Sequence, residues 1–168
     1  MPFALWLTGP PGAGKSTISD ALFRRGLDAA RLESDVLRKV LMPKATYEDE
    51  DRDIFYGALL WIGRLLVDHG VSVVFDATAA RRVWRDRARQ AIEKFLEVHV
   101  DCPKELRAAR DPKGLYREAA AGKISALPGL QAPYEPPLVP DLVVRTDRES
   151  PDAAAERIHA ALKSRGWT

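Results

Sequence analysis

At 168 residues, with 46% hydrophobic and 30% charged side chains, the chain has the size and composition of one globular domain, and residues 1–168 are expected to form it. Its 26 basic and 24 acidic residues nearly cancel, so overall charge gives no nucleic-acid footprint and any anion binding must come from local clusters. The lone Cys102 excludes an internal disulfide framework, and His69, His99 and His159 lie too far apart for a zinc group.

The opening MPFALWLTGPPG lacks the basic segment and the apolar length of a signal peptide, and no run approaches the ~18 apolar residues of a membrane span. The expected location is cytoplasmic. Residues 3–7 read as a buried strand. The turn that follows, Gly9-Pro10-Pro11-Gly12-Ala13-Gly14-Lys15-Ser16-Thr17, fits the phosphate-binding pattern G-x-x-x-x-G-K-[ST] and leads into a helix. Its glycines let backbone N–H groups wrap phosphates, Lys15 reaches the β- and γ-oxygens, and Ser16 offers a hydroxyl to Mg²⁺. Mg-ATP is the cofactor and phosphoryl donor that this pattern implies.

A weaker strand over residues 29–32 precedes Asp35 and Arg38, which share a face if a helix starts at Asp35. Such a pair places a carboxylate for a hydroxyl beside a cation for an anion, although an N-cap with a solvated arginine has the same pattern. Residues 53–69 form the clearest helix, with Ile54, Ala58, Ile62, Leu65 and Leu66 expected on its inner face and Gly70 as the stop. The strand over 71–75 ends in Asp76, as a magnesium-holding carboxylate requires, and a helix N-cap would look the same. Strands over 95–100 and 142–144 follow, and Ser150 caps a helix over 151–165 that begins with Pro151. Residues 111–140, rich in proline, read as a lid with a short helix near 115–121. Strands alternating with helices predict an α/β fold: a doubly wound, mostly parallel five-stranded sheet with helices on both faces, its ligand site beyond the carboxyl ends of the strands.

Several segments resemble the adenylyl-sulfate kinases, P-loop kinases that phosphorylate the 3′-hydroxyl of adenosine 5′-phosphosulfate. The resemblance is carried by Val100-Asp101-Cys102-Pro103, Arg110-Asp111-Pro112-Lys113-Gly114-Leu115-Tyr116, Ala121-Gly122-Lys123-Ile124 and Ala132-Pro133-Tyr134-Glu135-Pro136-Pro137, in the family's order and spacing. The P-loop, the Asp35/Arg38 element and Tyr47-Glu48-Asp49-Glu50-Asp51-Arg52 extend it over nearly the whole chain. It implies Asp35 as catalytic carboxylate, aided by Lys15 and by Lys113 from the lid. It also implies Arg38 and Arg52 on the acceptor's phosphosulfate, Tyr47 stacked on its adenine, and Arg110 and Thr146 beside the ATP site. The expected partner is a small-molecule nucleotide, with neither nucleic acid nor membrane, and a homodimer is a candidate assembly.

Three departures bear on the acceptor. Phe55 stands where the family has an acceptor-site asparagine, Leu127 replaces the second aromatic wall, and Asp76-Ala77-Thr78-Ala79-Ala80-Arg81-Arg82 replaces S-F-I-S-P-Y-R. These keep open a related kinase acting on another nucleotide or phosphorylated small molecule. The basic run Arg81, Arg82, Arg85, Arg87 and Arg89 keeps open a polynucleotide 5′-hydroxyl kinase.

Overall fold

The structure is a computed structural model that describes residues 1–44 and 48–168. Five parallel strands, β1 (Ala4–Thr8), β2 (Ala30–Glu33), β3 (Val73–Asp76), β4 (Phe95–Asp101) and β5 (Leu142–Arg145), form one sheet in the order β2-β3-β1-β4-β5. The helices are α1 (Lys15–Arg24), α2 (Ser34–Leu41), α3 (Asp49–Asp68), α4 (Arg82–Ala91), α5 (Lys104–Arg110), α6 (Leu115–Ala120) and α7 (Pro151–Ser164). Every predicted strand is present. Sequence reasoning missed α5, a short helix in which three of seven residues are basic and apolar spacing is weak.

β1 runs through the centre, paired with β3 on one edge and β4 on the other, and all five of its residues are buried. A parallel strand covered on both faces needs apolar side chains on both, and Ala-Leu-Trp-Leu supplies them. Leu5 and Leu7 enter the cluster under α1 and α7, with Ile18, Leu22, Ile158 and Leu162. Ala4 and Trp6 enter the opposite cluster under α3 and α4, with Phe55, Leu59, Phe75 and Trp84. Trp6 stacks on Phe75 at 4.5 Å between ring centroids and donates its indole N–H to the carbonyl of Ala77 at 3.0 Å.

The inner face of α3 overlaps the one expected, since Ile62 and Leu66 pack partly buried against the core, but it is turned about the helix axis. Ile54 and Leu65 are exposed, while Phe55, Tyr56, Leu59 and Gly63 are buried, a rotation of roughly 100° or one residue about the helix axis. Apolar residues line most of this helix, so periodicity alone does not select a face. Close packing does: Phe55 and Tyr56 meet edge to face, Tyr56 stacks on Trp84 at 4.3 Å, and Gly63 leaves room for the Phe75 ring. The arginines of α4 are not a free basic strip either. Buried Arg85 pairs with buried Glu97 at 2.8 Å and donates to the carbonyl of Glu135 at 2.6 Å, and Arg89 pairs with Asp141 at 2.7 Å.

Gly63→Ala should therefore destabilise the protein although alanine favours helix by ~1 kcal/mol. A Cβ there would overlap the tip of the Phe75 ring, whose face is stacked against Trp6, and overpacking of this kind costs about 1–3 kcal/mol. Urea unfolding should show a lower midpoint, and an unchanged or higher midpoint would mean that the Phe75 ring yields readily.

Candidate active site

Beyond the carboxyl end of β1 the chain turns sharply. A Cβ at Gly9 would overlap the carbonyl oxygen of Val100 on β4, so only glycine lets the two strand ends lie side by side. Gly14, at φ 105°, is the N-cap of α1, and Ala13 N–H donates to the carbonyl of Pro10 at 3.1 Å. The loop thus presents its amides and the first turn of α1 around one space, the geometry that binds phosphate oxygens. That space is a cavity of about 500 Å³ lined by Lys15, Ser16, Asp35, Asp76, Lys113 and Thr146.

Lys15 donates to the carbonyls of Gly9 at 2.7 Å and Pro10 at 3.2 Å. Burial lowers its pKa to about 8, only partly offset by the carboxylates of Asp76 and Asp35. Lys113, in the proline-rich segment over 111–140, forms an ion pair with Asp35 across the cavity. Both side chains are about half exposed, so such a pair contributes at most ~1 kcal/mol and exchanges partners readily. Asp76 differs. Its carboxylate is buried and meets Arg31 at 2.6 Å, and Arg31 also holds Asp20 at 2.5 Å. Arg31 lies on β2 two residues before Glu33, which is in register with Asp76 on β3. No sequence signal marked Arg31, because the pairing of β2 with β3 is invisible to periodicity.

Ser16 and Asp76 offer the hard oxygen donors that Mg²⁺ prefers, and both face the cavity, so the residues fit the metal. Arg31 occupies Oδ2 of Asp76 and leaves Oδ1 for a metal or its bound water. Among the described residues no group of three or more His, Cys, Asp or Glu side chains could hold a metal by itself.

Two tyrosines of the 111–140 segment bond back to β1 and to the phosphate loop. Tyr116 donates its hydroxyl proton to the carbonyl of Pro11 at 2.8 Å and accepts from buried Arg107 at 3.1 Å. Thr8 donates to the carbonyl of Thr78 at 2.7 Å, so its 3.0 Å contact with Tyr134 is one in which the phenol donates. Burial pushes the Tyr134 pKa up to about 12, which keeps that proton in place. Thr146 donates to the carbonyl of Ala13 at 2.8 Å and receives both terminal nitrogens of Arg110, at 3.2 Å on its hydroxyl and 2.8 Å on its carbonyl. Arg107 and the tyrosine links were not singled out from sequence; Tyr116 and Tyr134 were noted only as part of the resemblance.

The expected acceptor residues divide. Asp35 and Arg38 do share α2, and Arg52, on α3, donates to the carbonyl of Ala126 at 3.1 Å, but of these three only Asp35 lines the cavity. Tyr47 lies outside the described residues. Phe55 and Leu127 are not where the sequence reading put them. Phe55 is fully buried in the core beneath α3, and Leu127 is buried in the lid's own cluster with Tyr116 and Ala119. Neither lines the cavity, since apolar contacts inside their own layers bury both. Ala79, where the family has its serine, is buried with φ 43°.

The adenylylsulphate kinase family profile matches residues 1–145. A probable adenylyl-sulfate kinase of Archaeoglobus fulgidus is 40% identical over 152 residues, covering 88% of this chain and 98% of that one. The adenylyl-sulfate kinase of Rippkaea orientalis is 37% identical over 167 residues, covering 97% and 92%. The structure of Mycobacterium tuberculosis APS kinase in complex with AMPPNP and APS superposes with a TM-score of 0.88 at 32% identity, covering 96% of this chain and 98% of that one. A Janibacter sugar kinase, at 20% identity and a TM-score of 0.68, shares the fold. With the family profile spanning residues 1–145 of a chain whose P-loop, carboxylates and lid converge on one cavity, this chain belongs to the adenylylsulphate kinase family.

Proposed function

We propose that the chain acts as one kinase domain with a lid over 111–140, and that it transfers the γ-phosphoryl group of ATP to the 3′-hydroxyl of adenosine 5′-phosphosulfate (APS). The observation that carries this reading is the Lys113–Asp35 pair, which joins lid to α2 across the cavity that begins at the P-loop. It brings a phosphate-binding cation and a hydroxyl-directed carboxylate to the same place. The relatives' names and the neighbour solved with AMPPNP and APS support ATP as donor and APS as acceptor.

In the proposed reaction Lys15 exchanges the carbonyls of Gly9 and Pro10 for β- and γ-oxygens of ATP, and the amides of residues 12–17 hold the remaining oxygens. Arg110 and Thr146 border the nucleotide. Ser16 and Asp76 would hold Mg²⁺, which when bound would supply charge neutralisation at the phosphates. Arg38 and Arg52 receive the acceptor's phosphosulfate, and Tyr47 is assigned to its adenine. Lys113 leaves Asp35 for the transferring phosphoryl group, and Asp35 then accepts the proton of the acceptor hydroxyl. The acceptor oxygen forms its bond to phosphorus as the bond to the β,γ-bridging oxygen breaks, which leaves ADP. A loose transition state needs little covalent help, so alignment and charge supply most of the acceleration.

The first test is ADP formation with Mg-ATP and a panel of acceptors. APS should support turnover, whereas AMP, gluconate and a 5′-hydroxyl oligonucleotide should not; turnover confined to another acceptor would overturn the assignment. Within this scheme Asp35→Asn should lower kcat by ~10²–10⁴-fold with little change in the KM for ATP, the loss typical of a removed general base. A kcat within threefold of the native value would remove Asp35 from that role. Lys15→Ala should lower kcat/KM for ATP by at least about 100-fold, and retention of a tenth of it would contradict the P-loop assignment.

The depressed pKa of Lys15 gives a pH dependence with a definite sign. Only the protonated ammonium attracts phosphate, and in the protein without nucleotide it titrates near pH 8. Above that, kcat/KM for ATP should fall about tenfold per pH unit, while kcat at saturating ATP falls at higher pH because bound phosphates favour the charged form. A kcat/KM flat to pH 10 would show that Lys15 keeps an ordinary lysine pKa.

A further inference from the structure

Arg31 is not among the residues that line the cavity, yet it holds both elements from which the magnesium donors come. Alternate residues of a strand face one side of the sheet, so Arg31 shares a side with its register partner Val74 and with Asp76, the side on which α1 packs. There its guanidinium bridges two carboxylates. Nη2 donates to Asp76 Oδ2 at 2.6 Å and Nη1 to Asp20 Oδ1 at 2.5 Å, while the Glu33 carboxylate lies 3.7 Å from Nη2. Asp20 is four residues after Ser16 in α1, on the same face of that helix. One side chain thus ties the helix that carries the Ser16 hydroxyl to the strand that carries the Asp76 carboxylate. Asp76 itself is a departure from the family pattern, which has serine at this place.

We propose that Arg31 is a positioning residue for the metal: by bridging Asp20 and Asp76 it fixes the first turns of α1 and the end of β3 relative to each other, so that Ser16 and Asp76 are arranged for one Mg²⁺ before it binds. The inference rests on the reading that Ser16 and Asp76 are the donors. Mg²⁺ tolerates little departure from octahedral geometry, so the separation of two donors on different elements decides how well it is held. A guanidinium suits the task because it is planar and carries several donors in a rigid fork, whereas an ammonium is a single point of charge on a flexible stem. The Asp76 side chain is only 2% exposed, so protein groups rather than water must set its orientation. Arg31 takes one of its oxygens and leaves the other. Partners of this kind, which touch a ligand rather than the ion, commonly govern metal affinity.

The test is the affinity of Mn²⁺, which takes the same oxygen donors, for the full chain saturated with ADP, read by electron paramagnetic resonance. Binding of ADP alone in EDTA, measured by calorimetry, is the control. Arg31→Lys keeps the charge but removes the fork, and it should weaken Mn²⁺ binding about tenfold while ADP binding in EDTA stays within twofold. Asp20→Asn, at a half-exposed position, cuts only the tie to α1 and should weaken Mn²⁺ about two- to threefold. Asp76→Asn should weaken it at least as much as Arg31→Lys, and adding Arg31→Lys to Asp76→Asn should then change nothing. If Arg31→Lys folds poorly, Asp20→Asn carries the test. Native Mn²⁺ affinity in Arg31→Lys and Asp20→Asn, beside a loss in Asp76→Asn, would overturn the role of Arg31 and leave Asp76 as a donor. Equal losses with and without metal in Arg31→Lys would also overturn it, since Arg31 would then serve the nucleotide or the fold. Native affinity in Asp76→Asn would overturn the metal reading of Asp76 and the role of Arg31 with it.

Discussion

Everything at the site hangs from the end of β1, which is hydrogen-bonded on both edges and buried along its whole length, so that the chain can leave the sheet at one point only. There Gly9 lies against the carbonyl of Val100, closer than any side chain permits. That contact fixes where the phosphate loop begins, and through the Gly14 cap it fixes where α1 begins and which way its first amides face. The other strands add their polar ends around the same point because parallel strands all finish on one side: Glu33 and Asp76 in register, Asp101 with Cys102, and Thr146 after β5. A shift of one residue in the β1–β4 register would bring a side chain where Gly9 must be.

Each charge in the cavity has a partner within the protein, and the partners differ in how easily they are given up. Lys15 rests on two main-chain carbonyls, Lys113 on the half-exposed Asp35, and buried Asp76 on Arg31. Solvent screening makes the lid pair weak, whereas the Asp76 carboxylate is hidden from water and would be costly to leave uncompensated. Binding of anionic ligands can therefore redirect both lysines while Arg31 stays with Asp76. Tyr116 and Tyr134 bond to Pro11 and Thr8 through neutral groups that ligand charge would not displace.

Much of this was legible in the sequence. Gly9 to Thr17 identifies its own chemistry because glycine and lysine at that spacing have one efficient use, and short β-branched or aromatic runs located four of the five strands, with β2 a weaker candidate over 29–32. What remained hidden depends on packing between elements. The inner face of α3 was misread because apolar residues line most of that helix, and the choice was made by Gly63 against Phe75 and by the Phe55-Tyr56-Trp84 stack. The Arg31–Asp76 pair needed the β2–β3 register. Phe55 and Leu127 drew notice as departures, but their burial could be known only once α3 and the Tyr116–Leu127 cluster were placed.

The central claim is that this edge of the sheet brings the γ-phosphoryl group and the ribose 3′-hydroxyl of the acceptor together at Asp35. Phosphorus-31 NMR of the product formed from ATP and APS tests it most directly. The account predicts a new phosphate monoester coupled to the ribose 3′ proton, stoichiometric with ADP, and with the phosphosulfate linkage intact. A phosphate on a different oxygen, or release of ADP and inorganic phosphate with APS unchanged, would contradict it.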